Sequence, residues 1–330
     1  MEKRLTGELS KMSKVQEKRQ EELLQKQNVV GVALGHKMKA GRDIGDNCLT
    51  VFVEHKMDKD LIPKDSMIAP EIDKYKTDVV ETGVIFAGTE LIMQPMKQAE
   101  EEVGTLTLKR RMRPAEGGVS VGHFAITAGT IATAVYDREP FPGIPRRYYI
   151  LSNNHVLANS NNANLGDAIL QPGPYDGGVL PSDLIAHLSR FVPIRFDGSC
   201  NFVDAAIAEG QFHDLDREVY WIGYVKGLAS AEIGTLVQKT GRTTSYTTGR
   251  VTNINATVNV NYGGGQVATM CRQIITSNMS AGGDSGSLLL DMEENAVGLL
   301  FAGSTQITIH NNIFFVEALL GIRIIYMIIF

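Results

Sequence analysis

The chain has 330 residues, 43% of them hydrophobic and 21% charged, with a formal net charge of −5. Those values suit a globular protein with a well-buried core and exclude a fibrous or disordered chain. The weak negative charge makes no electrostatic case for nucleic acid, and no run of about 18 apolar residues is present to cross a membrane.

The first 27 residues are rich in charge and hold no apolar segment of the secretory type. Among them Leu9, Met12, Val15, Leu23 and Leu24 predict an amphipathic helix over residues 8–27 with a broad polar face. Strands are predicted at Asn28–Gly35, at Cys48–Glu54 and across Thr77–Phe86, with Pro63 and Pro70 breaking the region between. Residues 1–100 read as a small α+β leader domain. Residues 101–116 read as a linker, with the basic run Lys109–Arg113 solvated.

From Gly117 the texture changes. Short apolar or alternating runs recur between Gly, Asn, Asp and Pro clusters: Val119–Phe124, Thr130–Val135, Tyr148–Ser152, Phe202–Ala208, Gly234–Gln238, Gly249–Asn253, Ala256–Val260, Gln266–Met270, Ser287–Leu290 and Ala296–Phe301. No helical pattern interrupts them before Phe314–Ile322. This predicts a mainly β fold, an antiparallel barrel or sandwich. The apolar run Ile324–Phe330 reads as a last strand or helix end packed on the core.

The three cysteines, Cys48, Cys200 and Cys271, are far apart and odd in number. Neither a disulfide framework nor a zinc site is expected from that pattern. With the charged N-terminus, it points to a reducing, cytoplasmic setting. No metal and no organic cofactor are expected.

The chemistry concentrates at Met279–Leu290. The turn Gly282-Gly283-Asp284-Ser285-Gly286 runs into the apolar strand Leu288-Leu289-Leu290. Glycines permit a left-handed path that leaves the serine hydroxyl open and gathers backbone N–H groups into one concavity. A serine nucleophile needs a base, and the base an orienting acid. Of seven histidines, His155 follows the apolar run Tyr149-Ile150-Leu151 and enters a polar loop, where a base is held rigidly beside a cleft. Asp204 lies inside Val203-Asp204-Ala205-Ala206-Ile207, where a charge is costly unless paired. Asp176 and Asp183 are rival acids in Gly/Pro-rich loops, where a solvated aspartate needs no partner.

The order His155, Asp204, Ser285 resembles that of the chymotrypsin-like serine proteases. Ser152-Asn153-Asn154-His155 is similar to the family's histidine motif, Val203–Ala208 to its aspartate strand, and Gly283-Asp284-Ser285-Gly286 to its nucleophile motif. Separations of 49 and 81 residues between the three fit a two-barrel fold. Lys239–Thr244, Thr248–Thr252 and Asn255–Gly265 resemble the bacterial streptogrisins, and so does Phe314-Phe315 near the last helix. Asn153–Asn162 and Gln171–Gly178 resemble intracellular trypsin-like proteins of the Narrow leaf 1 group.

The resemblance implies a peptidase domain over 117–323: a first barrel at about 117–215, a second at about 216–308 and a helix at about 313–323. It implies Ser285 as nucleophile, His155 as general base and acid, Asp204 as orienter, and the amides of Gly283 and Ser285 as oxyanion hole. Met279, six residues before Ser285, would sit at the base of the specificity pocket; Leu299, Leu300 and Phe301, before Ala302 and Gly303, suggest an apolar wall, and Met279, Phe301, Ala302 and Gly303 would touch substrate. The family continues Gly-Asp-Ser-Gly-Gly-Pro, whereas here Ser287 and Leu288 follow Gly286. No Ile-Val-Gly-Gly terminus follows Arg113 to pair with Asp284, so activation by cleavage is not expected.

Two readings follow. One is a serine endopeptidase acting on polypeptides, with a leader that regulates it, binds substrate or assembles a homo-oligomer. The other is a catalytically silent protease-fold scaffold. An esterase of another fold is disfavoured, because the G-x-S-x-G elbow and the order Ser, Asp, His are missing.

Overall fold

The structure, a computed structural model, describes residues 3–39, 41–88, 108–138 and 147–324. The connector between 89 and 107 and the C-terminal run beyond Ile324 lie outside the described residues. The chain opens with helix α1 (Gly7–Leu24), then β1 (Val29–Lys39), β2 (Arg42–Val53), β3 (Glu71–Ile72), β4 (Tyr75–Glu81) and β5 (Phe86–Ala87). Next come β6 (Ala115–Gly117), β7 (Ser120–His123), β8 (Gly129–Thr130), β9 (Ala134–Asp137), β10 (Tyr148–Ser152) and the one-turn α2 (Asn154–Leu157). They lead to β11 (Ala168–Leu170), β12 (Leu184–Phe191), β13 (Cys200–Asn201), β14 (Ala206–Gly210), β15 (Leu215–Val219), β16 (Gly223–Tyr224) and β17 (Gly227–Leu228). The last part holds β18 (Leu236–Gly241), β19 (Ser245–Asn261), β20 (Val267–Ser277), β21 (Leu288–Asp291), β22 (Asn295–Gly303), β23 (Ile307–Asn312), α3 (Ile313–Leu320) and β24 (Ile322–Arg323). The fold is mainly β, as the texture predicts.

Two barrel-like sheets carry the site. The first runs β24-β9-β10-β14-β12-β11-β7-β8. The second runs β20-β23-β22-β21-β18-β19, and β19 returns to pair with β20, which closes a ring. Strand alternation places the cores. Ile150, Ala206 and Ala208 enter the first barrel, while Tyr149, Leu151 and Ile207 face the seam between sheets, with Leu288, Leu299 and helix α3 residues Ile313, Val316 and Leu320. Both faces of β10 and β14 are therefore buried, which explains their unbroken apolar runs. Helix α3 starts where Asn312 Oδ1 accepts from the Phe314 N–H at 3.0 Å, and it ends at Gly321 with φ +67°.

The leader segment joins the second sheet. β1 pairs with β19, Gly31 opposite Val258 and Leu34 opposite Ile254, and β2 continues from β1. Val32, Ala33, Leu34, Leu49 and Val51 are fully buried. Helix α1 lies on this hairpin, with Met12 in the core beside Leu34 and Leu49. Gln16 Nε2 donates to the carbonyls of Val32 (3.1 Å) and Asn255 (2.7 Å), which pins helix, leader strand and β19 together.

Three expectations change. Cys200 and Cys271 form a disulfide, with Cα atoms 5.6 Å apart, while Cys48 stays free and buried. Strand β13 lies parallel to β20, Cys200 opposite Thr269, and this long-range pairing brings together cysteines that sequence spacing keeps apart. The cysteine argument for a reducing compartment falls with it. Gly249–Asn253 and Ala256–Val260 are one strand, β19, because Asn255 (φ +54°) sits at a bulge rather than a turn. The basic run is not simply solvated: the Met112 N–H donates to Gln171 Oε1 at 2.8 Å, and the Arg110 carbonyl accepts from Gln171 Nε2 at 2.8 Å.

Candidate active site

His155 and Asp204 meet because β10 and β14 pair in register. Ser152 stands opposite Ala206, so the residues just past one strand lie beside those just before the other. Asp204 is fully buried, a position costing several kcal/mol for an unpaired charge. It is well satisfied here. Oδ1 accepts from the His155 backbone N–H at 3.1 Å, and Oδ2 lies 2.6 Å from His155 Nδ1. The Tyr262 hydroxyl donates to the same Oδ2 at 2.9 Å. Asn153 Nδ2 holds the Asp204 carbonyl at 2.8 Å, and Asn311 Oδ1 accepts its backbone N–H at 3.0 Å. A carboxylate only accepts, so Nδ1 carries the ring proton of a neutral His155 and Nε2 is left as acceptor. Nε2 has no hydrogen-bond partner among the described residues.

Tyr262 is a residue the sequence reading missed. Burial, then the neighbouring Asp204 charge, pushes its phenol well above the usual value of 10, so it stays a donor. Its ring stands edge-on to His155, centroids 6.1 Å apart. Asp176 and Asp183 do not take part. Asp176 is buried in an ion pair with Arg242, whose Nε donates at 2.9 Å. Asp183 accepts from the Val179 N–H at 3.0 Å. Asp176 is thus not the solvated aspartate expected of its loop.

The turn at Ser285 is built by its neighbours. Gly283 and Gly286 have φ of +97° and +98°, a region that L side chains avoid. A Cβ on Gly286 would stand 2.1 Å from both Ser152 Oγ and the Thr130 carbonyl, so only glycine fits. Strand β8 of the first barrel grips the turn: the Thr130 N–H donates to the Ser285 carbonyl at 2.7 Å and Thr130 Oγ1 to the Gly283 carbonyl at 2.9 Å.

Beneath it Asp284 is fully buried beside Lys239, 3.1 Å away and equally buried. Burial alone would raise its carboxyl. The Lys239 charge, the Thr244 hydroxyl and the N–H groups of Ala281 and Thr243 outweigh burial and hold it below the usual range. Burial lowers Lys239 in turn, with Asp284 pulling the other way. Asp284 thus has an internal cation in Lys239.

His155, Ser285, Gly283 and Tyr262 line one cleft of about 540 Å³, with Ala125–Ala128 along one wall and Ala87 and Gly88 of the leader on another. Met279, Phe301, Ala302 and Gly303 are not among the residues that line this cleft. Met279 is packed in the core with Leu34 and Leu289, its N–H donating to Thr308 Oγ1 at 3.1 Å. Phe301 is fully buried in the second barrel. Ala302 and Gly303 are paired with β5.

Residues 132–299 match the family model described as a trypsin-like peptidase domain. Glutamyl endopeptidase 2 of Streptomyces griseus is 41% identical over 87 residues, which is 26% of this chain and 38% of that protein. Serine protease 2 of Streptomyces fradiae is 42% identical over 84 residues, 25% of this chain and 39% of that protein. Each alignment thus spans well under two thirds of the relative's length. Among solved structures, protease A of Thermobifida fusca aligns at 18% identity with a TM-score of 0.45, over 63% of this chain and 96% of that one. The Nocardiopsis protease aligns at 17% identity with the same TM-score, over 63% and 97%.

Proposed function

The chain belongs to the family of trypsin-like peptidase domains, and we propose that it works there as a serine endopeptidase acting on polypeptides. The observation carrying this reading is a buried Asp204 bonded to His155 Nδ1 in the cleft that Ser285 lines. In this mechanism Ser285 Oγ attacks the scissile carbonyl and its proton passes to His155 Nε2. Asp204 holds the tautomer and stabilises the imidazolium. The carbonyl electron pair moves onto oxygen, where the N–H groups of Gly283 and Ser285 receive it. Collapse breaks the C–N bond, and His155 returns the proton to the leaving amine. Water then repeats the sequence on the acyl-enzyme, with His155 again as base, and frees Ser285.

The Lys239–Asp284 pair supports a turn organised without any processing at residue 113. A fluorophosphonate is expected to add one label per chain, seen by intact mass, and Ser285→Ala to take none. The same variant is expected to lose at least about 10⁴-fold in peptide hydrolysis while keeping its circular dichroism spectrum. Hydrolysis surviving in Ser285→Ala would end this reading. Well-folded parent protein that takes no label would favour the silent scaffold.

A further inference from the structure

Strand β5 belongs to the leader, yet it lies against the barrel strand beside the cleft. It runs antiparallel to β22, Ala87 opposite Ala302 and Phe86 opposite Gly303. On its other side the Asn261 N–H donates to the Ile85 carbonyl at 2.9 Å. Ile85 and Ala87 are 1% and 5% exposed and pack in the second barrel's core with Phe301. Gly88 follows and lines the cleft with His155 and Ser285. A Cβ on it would lie 3.7 Å from His155 Cδ2, an ordinary contact.

The direction of β5 gives this contact meaning. The segment runs from N to C toward His155. A polypeptide cleaved at Ser285 must approach the same way, so that the carbonyl end of its acyl half meets the nucleophile. Backbone pairing to an open strand edge is a general mode of peptide capture, and β22 offers such an edge only where β5 is absent. Gly88 departs from the course of a cleaved strand. Its φ is +84°, whereas an L-residue presented for attack stays extended.

We propose that segment 85–88 is an intramolecular occupant of the substrate strand's place on β22. The edge takes an extended peptide, with small residues at the places of Ala87 and Gly88, once that segment is displaced. This rests on the peptidase reading of the same cleft.

The test uses the full chain carrying Ser285→Ala, so that binding is read without turnover, and a fluorescent peptide Ile-Phe-Ala-Gly read by anisotropy. Proline at 87 lacks an N–H and disfavours pairing within a sheet. Adding Ala87→Pro is expected to tighten peptide binding at least about tenfold, 1.4 kcal/mol. Equal affinity with and without Ala87→Pro, or no binding to either, overturns the proposal.

Should Ala87→Pro fold poorly, amide exchange on the Ser285→Ala protein decides. Excess peptide is expected to unprotect Phe86 and Ala87 while Ala302 and Gly303 keep their protection. Unchanged protection at Phe86 and Ala87 overturns the proposal. Fluorophosphonate labelling of chains that keep Ser285 reports separately on the chemistry. Label without a gain in peptide affinity removes only the occupant, and a gain without label removes only the peptidase reading.

Discussion

Asp204 takes three hydrogen bonds on its side chain, two from His155 and one from Tyr262. The Tyr262 hydroxyl is the one that can be removed without disturbing the histidine. Tyr262→Phe keeps the ring between His155 and Phe196 and deletes only the donor. A hydrogen bond to a charged group is worth about 1.5–3 kcal/mol, so urea unfolding is expected to lose about that much. An unchanged unfolding free energy would mean that the hydroxyl does not serve Asp204. His155, Asp204 and Ser285 were legible in the sequence because each sits in a short, distinctive context. Tyr262 and Lys239 were not. Their partners lie 58 and 45 residues away, and nothing in the local sequence marks a tyrosine or a lysine for burial beside a carboxylate.

At the scale of elements, strand pairing decides what local pattern leaves open. Asn255 reads as a turn residue, but β1 on one side and β20 on the other hold the chain straight through it as a bulged strand. The same pairing logic aligns β13 with β20 and joins Cys200 to Cys271 across 71 residues. Closing a loop of that length restricts the unfolded chain by roughly 4 kcal/mol in the entropic model, of which about 2–4 is commonly realised. Replacing both cysteines by serine is expected to lower unfolding free energy by that amount, and reductant to do the same to the parent chain. Identical urea midpoints for parent and double variant would show that the cross-link does not form in solution.

For the molecule as a whole, the leader behaves as part of the second sheet. Removing it would open β19 along the stretch that β1 covers and strip Leu34, Leu49 and Met12 from the cluster that includes Val237, Ile254 and Leu289. Each such buried side chain is worth about 1.5–3 kcal/mol, and an open strand edge invites pairing between chains. Residues 108–324 expressed alone are therefore expected to be poorly soluble and to bind a hydrophobic dye. A monomeric fragment as stable as the full chain would show that the leader is an appendage.

The sequence by itself determined the parts that depend on a few consecutive residues. Glycines at 283 and 286 admit one kind of turn, a polar loop after an apolar run marks His155, and alternating apolar runs make strands. Only the tertiary structure decided which strand edges meet. That choice gathers Cys200 with Cys271, turns Met279 and Phe301 into the core, and lays β5 over the edge at Ala302 and Gly303. The physical reason is that sheet edges are chemically alike in sequence. Every edge offers the same backbone N–H and C=O groups, and the pairing that wins is the one that buries the most apolar surface over the entire chain.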